Sequence, residues 1–212
     1  MAYNPRDYYF QKAKTENYAA RSIFKLQEID DRFKILKPGY KILDLGAAPG
    51  SWSQYASQKV GPKGVIVGID LQPIKITLPN ALFLAADLRD LSLVDTFTSH
   101  GIQPPFDVIL SDMAPKTTGI RVTDQTRSLE LCTLALDIAK TYLKPRGSFV
   151  CKLFHSADFE VYRRSLRESF GRVEILRPKS TRKESKEVFF IALQFKGLVK
   201  DPSKDPVKKP GT

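Results

Sequence analysis

The stretch Lys41-Ile42-Leu43-Asp44-Leu45-Gly46-Ala47-Ala48-Pro49-Gly50-Ser51-Trp52 reads as a strand, a glycine-rich turn and the start of a helix. Lys41–Leu45 has the apolar continuity of a strand buried on both faces. Gly46 and Gly50 leave no Cβ in the turn, so a ligand can approach the backbone closely there. Such a turn serves dinucleotides and S-adenosylmethionine alike. The dinucleotide fingerprint G-x-G-x-x-G is not met, because Ala48 stands where its second glycine belongs, and no G-x-x-x-x-G-K-[ST] loop occurs.

Working outward, Val65–Ile69, Ala81–Ala85, Phe106–Leu110, Ser148–Leu153, Arg172–Leu176 and Val188–Phe195 read as further strands. Helices are expected over 19–34, from about Ser51, over 126–143 and near 158–169, with a turn at Lys144-Pro145-Arg146-Gly147. Strands alternating with helices imply parallel crossovers and an α/β sheet covered on both faces. In such sheets ligands bind beyond the carboxyl ends of the strands. Three acids stand at those ends. Asp44 stands at the end of the first strand, Asp70 is placed to accept from both hydroxyls of a ribose, and Asp87 to accept from an adenine amino group. Together with the turn they favour a nucleoside-type cofactor, either a methyl donor or a nicotinamide.

The fourth strand ends in Ser111-Asp112-Met113-Ala114-Pro115, without the N-P-P-Y or D-P-P-Y of base amino methyltransferases. Cys132 and Cys151, the only cysteines, fall on a helical core stripe and within a strand, so neither reads as a nucleophile. Lys152, by contrast, sits in the apolar run Val150-Cys151-Lys152-Leu153-Phe154, where a lysine is costly unless paired. With helical Lys25, Asp112 and Glu187 it makes two lysines and two carboxylates that can converge at the active edge of the sheet.

That set of four, with Asp44–Trp52 before it and Arg182–Glu187 behind, resembles the FtsJ/RrmJ family of S-adenosylmethionine-dependent ribosomal RNA 2′-O-methyltransferases, over roughly Tyr8–Lys196. The resemblance implies a Rossmann-like class I methyltransferase fold, a seven-stranded, mostly parallel sheet whose last strand is antiparallel. It also implies a cofactor site lined by Gly46, Gly50, Trp52, Asp70, Asp87 and Asp112, and Lys152 as the proton acceptor beside Lys25, Asp112 and Glu187. The implied substrate is large-subunit ribosomal RNA at a uridine. A tRNA anticodon loop, a non-catalytic ribosome-assembly role and a nicotinamide oxidoreductase are the alternatives, the last disfavoured by the missing fingerprint.

The 34 basic and 23 acidic residues give a net charge of +11. The excess lies toward the two ends of the chain, while the middle is slightly acidic. Charge of this sign points to a polyanionic partner. Residues 3–21 interleave Tyr3, Tyr8, Tyr9, Phe10 and Tyr18 with Arg6, Lys12, Lys14 and Arg21, which suits unpaired bases and phosphates, although some rings could instead dock the arm. Residues 1–40 are read as a basic, aromatic arm and helix, 41–196 as the methyltransferase domain and 197–212 as a flexible tail. His100 and His155 lack metal-ligand spacing, no apolar run reaches the ~20 residues of a membrane span, and two cysteines suit a reducing compartment. The expectation is a cytoplasmic monomer without metal.

Overall fold

Seven strands form one sheet in the order β3-β2-β1-β4-β5-β7-β6, in a computed structural model that describes residues 5–197 except 117, 155, 157, 183 and 184. Tyr3, His155, Lys183 and the expected tail from 198 onward lie outside the described residues. The strands are β1 (Lys41–Leu45), β2 (Val65–Asp70), β3 (Ala81–Ala85), β4 (Phe106–Ser111), β5 (Leu143–Phe154), β6 (Phe170–Leu176) and β7 (Glu187–Phe195). The helices are α1 (Pro5–Thr15), α2 (Ile23–Phe33), α3 (Ser51–Val60), α4 (Leu93–Ser99), α5 (Arg121–Tyr142) and α6 (Phe159–Ser169). Strands β3, β2, β1, β4 and β5 pair in parallel, while β7 is antiparallel to both β5 and β6. The strand order reverses between β1 and β4, so the crevice beyond their carboxyl ends is the place for a ligand.

Alternate residues of each strand serve opposite faces. Leu43, Leu45, Ile109, Phe149 and Cys151 pack with α4, α5 and α6, while Ile42, Val108, Leu110, Val150 and Phe189 pack with α2 and α3. Asp44, Asp112 and Lys152 follow Ile42, Leu110 and Val150 by two residues, so all three belong to the α2–α3 side. That parity brings distant acids and lysines together.

Three elements differ from the sequence reading. Lys144–Gly147 is not a separate turn but part of β5: the register moves from Phe106↔Leu143 to Val108↔Ser148, and Arg146 takes a φ of 66° to absorb the extra residues. The Asp107–Lys144 ion pair closes this bulge. Helix α4 was not anticipated, because its seven residues bury only Leu93 and Phe97; Ser92 caps it by accepting from the Asp95 N–H at 3.3 Å. Within the stretch read as a basic, aromatic arm, Pro5–Thr15 form helix α1, which was not anticipated. Tyr9 packs on Phe24 with ring centroids 5.4 Å apart, Tyr18 meets the same ring at 6.5 Å, and Tyr8 and Phe10 stay exposed. Among the described residues no helix is long and apolar enough to cross a membrane.

Candidate active site

Beyond the carboxyl ends of β1, β2, β3 and β4 lies a cavity of about 730 Å³, lined by Gly46, Ala48, Asp70, Asp87, Asp112, Met113 and part of α5. This volume suits a nucleoside-sized ligand. Gly46 has a φ of 75°, and a Cβ there would fall 2.7 Å from Met113 Cγ, so only glycine fits the turn. Asp70 is fixed by two backbone donors: Ala48 N–H reaches Oδ2 at 3.0 Å and Gln72 N–H reaches Oδ1 at 2.8 Å. Each oxygen keeps a lone pair for a ligand hydroxyl.

Asp87 is more heavily engaged. The Arg89 guanidinium donates to both carboxylate oxygens, at 3.0 and 2.5 Å, and the Arg89 N–H donates to Oδ1 at 3.0 Å. These hydrogen bonds hold the Asp87 carboxyl down at about 2. Asp87 is therefore a fixed acceptor at the cavity wall, and Arg89 is a wall residue that the sequence reading did not single out.

Gly50 and Trp52 are not brought to the cavity wall. A Cβ on Gly50 would strike the Ile76 side chain at 2.3 Å, so the close approach that Gly50 permits is to the 74–76 segment. Trp52 is buried, donates its indole N–H to the Ser22 carbonyl at 2.8 Å and packs on Phe189 at 5.7 Å between centroids. Its surroundings are core, and its hydrogen bond joins α3 to the entry of α2.

The four-residue set resolves into two ion pairs. Lys152 Nζ lies 2.8 Å from Asp112 Oδ1 and donates to the Asp112 carbonyl at 2.6 Å. Lys25 Nζ lies 2.5 Å from Glu187 Oε1 and 5.7 Å from the centre of the Phe189 ring. The β5–β7 register sets Lys152 opposite Phe189 and Phe154 opposite Glu187. Lys152 and Glu187 are thus diagonal neighbours on one face, a spacing of about 7–8 Å between such backbone positions. Phe189 lies beneath the Lys25 ammonium and opposite Lys152 in the strand register. Its part was legible only as alternation with Glu187, two residues before it.

Behind the pairs, Asp44 is wholly buried. Its Oδ2 accepts from the Ser53 hydroxyl at 2.7 Å and its Oδ1 has no partner among the described residues. Burial pushes its carboxyl up to about 7, against the Ser53 hydrogen bond and with the help of the negative charges of Asp112 and Asp70. Asp44 was read only as a strand-end acid of the turn motif, since chain order does not show that it is wholly buried. On the far side of β5, Cys132 Sγ donates to the Lys152 carbonyl at 2.9 Å, so this buried thiol serves to hold the lysine strand.

Residues 18–195 match the FtsJ-like methyltransferase family. The chain is 61% identical to the ribosomal RNA large subunit methyltransferase E of Bdellovibrio bacteriovorus, over 92% of this chain and 100% of that protein. It is 48% identical to the protein of the same name from Syntrophobacter fumaroxidans, over 92% and 99% of the two chains. Its fold is similar to a Plasmodium falciparum protein described as a ribosomal RNA methyltransferase, with a TM-score of 0.75 and 28% identity, covering 85% of this chain and 100% of that one. A fibrillarin from Aeropyrum pernix, solved with S-adenosylmethionine bound, shares the fold at a TM-score of 0.54 and 17% identity, over 75% and 68% of the chains. With a match spanning nearly all of its described residues, the chain belongs to the FtsJ-like methyltransferase family.

Proposed function

We infer that the protein is an S-adenosylmethionine-dependent RNA 2′-O-ribose methyltransferase that modifies a uridine of large-subunit, 23S-type ribosomal RNA. The observation that carries this reading is the double position of Asp112. Its residue lines the cavity, and its carboxylate and carbonyl both hold Lys152. A cofactor pocket and a lysine able to address an acceptor oxygen are thereby joined at one residue.

The cavity residues fit the cofactor. Asp70 is placed for ribose hydroxyls, the Asp87 carboxylate for an amino group, and the Gly46 cradle has room only where no Cβ intrudes. The wall carries Asp70, Asp87, Asp112 and Glu130 beside Arg89, Lys116 and Arg127, one acid in excess, and that sign suits a cationic ligand better than a pyrophosphate. When bound there, S-adenosylmethionine supplies an electrophilic methyl group. The chain's own residues supply alignment, which can be worth ~7–11 kcal/mol of barrier, and proton transfer, worth roughly 10²–10⁴-fold. Lys152 Nζ makes an ion pair with the Asp112 carboxylate and a hydrogen bond to the Asp112 carbonyl, which leaves one position for the ribose 2′-oxygen. In its neutral form Lys152 takes the hydroxyl proton as that oxygen attacks. Lys25, held by Glu187, places a cation beside the acceptor sugar. Exposed Tyr8 and Phe10 on α1 offer rings to unpaired bases. The protein acts as a single chain in the cytoplasm.

The test is to incubate the protein with labelled S-adenosylmethionine and either large-subunit rRNA, assembled large subunits or tRNA, then map 2′-O-methyl marks. A single uridine marked in the large-subunit RNA is expected. Marks confined to tRNA, or RNA binding without methylation, would overturn the assignment.

A further inference from the structure

Arg21, Lys25 and Glu28 fall at intervals of four and three residues, so they form one stripe along α2 and its entry. All three meet the connection between β6 and β7 or the residue that ends it. Arg21 Nη2 donates to the Ser180 carbonyl at 2.6 Å, Glu28 Oε2 accepts from the Lys179 N–H at 2.8 Å, and Lys25 pairs with Glu187. Within the connection, the Thr181 hydroxyl donates to Glu187 Oε1 at 3.3 Å, the same oxygen that Lys25 holds. Ser180 is buried by this docking, and Arg21 is itself steadied over the Tyr9 ring at 5.5 Å. On its outer side the connection lines a small recess with Arg177, Lys179 and Thr181.

We propose that Arg21 and Glu28 are positioning residues that clamp the β6–β7 connection onto α2 and so fix Glu187, and through it Lys25, for the acceptor sugar. The reading rests on the function proposed above. The clamp acts on two consecutive peptide units, Lys179 and Ser180, immediately before Thr181. Loss of either contact frees Thr181 to leave the Glu187 carboxylate. The Lys25 ammonium then loses its fixed place over Phe189, while the cavity around Asp70 and Asp87 is untouched. Arg21 is a positioning residue on this account and not an RNA contact, although its charge alone would suggest the latter.

Arg21→Ala, Arg21→Lys and Glu28→Ala separate the two roles, because Glu28 is acidic. On the full chain, kcat and KM for large-subunit RNA, cofactor affinity and amide exchange of Lys179, Ser180 and Thr181 are measured. The clamp predicts a fall in kcat of about tenfold or more for both alanine variants, with partial recovery in Arg21→Lys. It also predicts faster exchange at residues 179–181 and cofactor affinity within about twofold of the parent. A rise in KM alone for Arg21→Ala, with tighter RNA binding for Glu28→Ala, would overturn it in favour of plain charge contacts with RNA. Unchanged exchange at residues 179–181 would overturn it as well. If the parent protein methylates no large-subunit RNA, the proposed function fails, and the clamp is then judged on exchange alone.

Discussion

Strands β4 and β5 carry a lysine–aspartate pair at each end: Asp107–Lys144 at the start of β4 and Asp112–Lys152 just past its end. The residue types and the strands are the same, but the surroundings differ. Asp107 also accepts from the Lys41 N–H at 2.7 Å, and the Lys144 ammonium lies 4.9 Å from the Tyr40 ring centre, so every group there serves the β4–β5 bulge and its neighbour β1. At the other end Asp112 faces the cavity and Lys152 is only 7% exposed. Position along the sheet, rather than residue identity, separates a pair that closes the fold from one that borders the cavity.

The largest contrast should come from removing the two lysines. Lys152→Ala is expected to slow methyl transfer by roughly 10²–10⁴-fold in single-turnover assays, with cofactor affinity near that of the parent. Lys144→Ala should leave that rate within about twofold. Equal losses in the two variants would erase the distinction between the ends.

Much of the cavity end was legible because its residues are expensive where they stand. Lys152 in an apolar strand announces itself by the cost of burying an ammonium, and Glu187 by opening a strand otherwise apolar as far as Leu193. The pairing was not legible. Nothing in the chain order says that Lys152 takes Asp112 and Lys25 takes Glu187, since that depends on strand parity and on where α2 crosses. Trp52 and Gly50 were assigned to the cofactor through resemblance, whereas their local packing is against Phe189 and Ile76. Helix α1 and the bulge in β5 escaped for a different reason. Both are held by contacts distant in sequence, Tyr9 with Phe24 and Asp107 with Lys144, which no local period reveals.

The cavity end also carries a cost in stability through Asp44. Its carboxyl rises from an ordinary value of 3.8 to about 7 in the folded protein. The folded state therefore binds the proton more tightly than the unfolded state. The contribution of Asp44 to stability is most favourable below pH 4, falls as pH rises toward 7, and is lower by a constant amount above that. At about 1.4 kcal/mol per pH unit the loss amounts to a few kcal/mol. Asp44→Asn keeps an acceptor for Ser53 and should flatten this part of the pH–stability curve in urea melts. An unchanged slope between pH 4 and 7 would show that Asp44 is not its source.

A smaller effect is expected at Asp70. Asp70→Ala should weaken cofactor binding by about 10–100-fold in calorimetry, the scale of hydrogen bonds to a charged group. Unchanged affinity would reduce Asp70 to a clasp on the glycine turn. Smallest of all is the stability effect of Lys144→Ala. Its ammonium is partly exposed, and a loss of about 1 kcal/mol or less is expected from thermal melts.

The account stands or falls on one residue serving both the cavity and the lysine, and Asp112→Ala tests that directly. Cofactor affinity and the single-turnover methylation rate at saturating cofactor, measured on the same preparation, should both fall. A variant that lost one property while keeping the other at the parent's level would contradict the claim that pocket and lysine meet at Asp112.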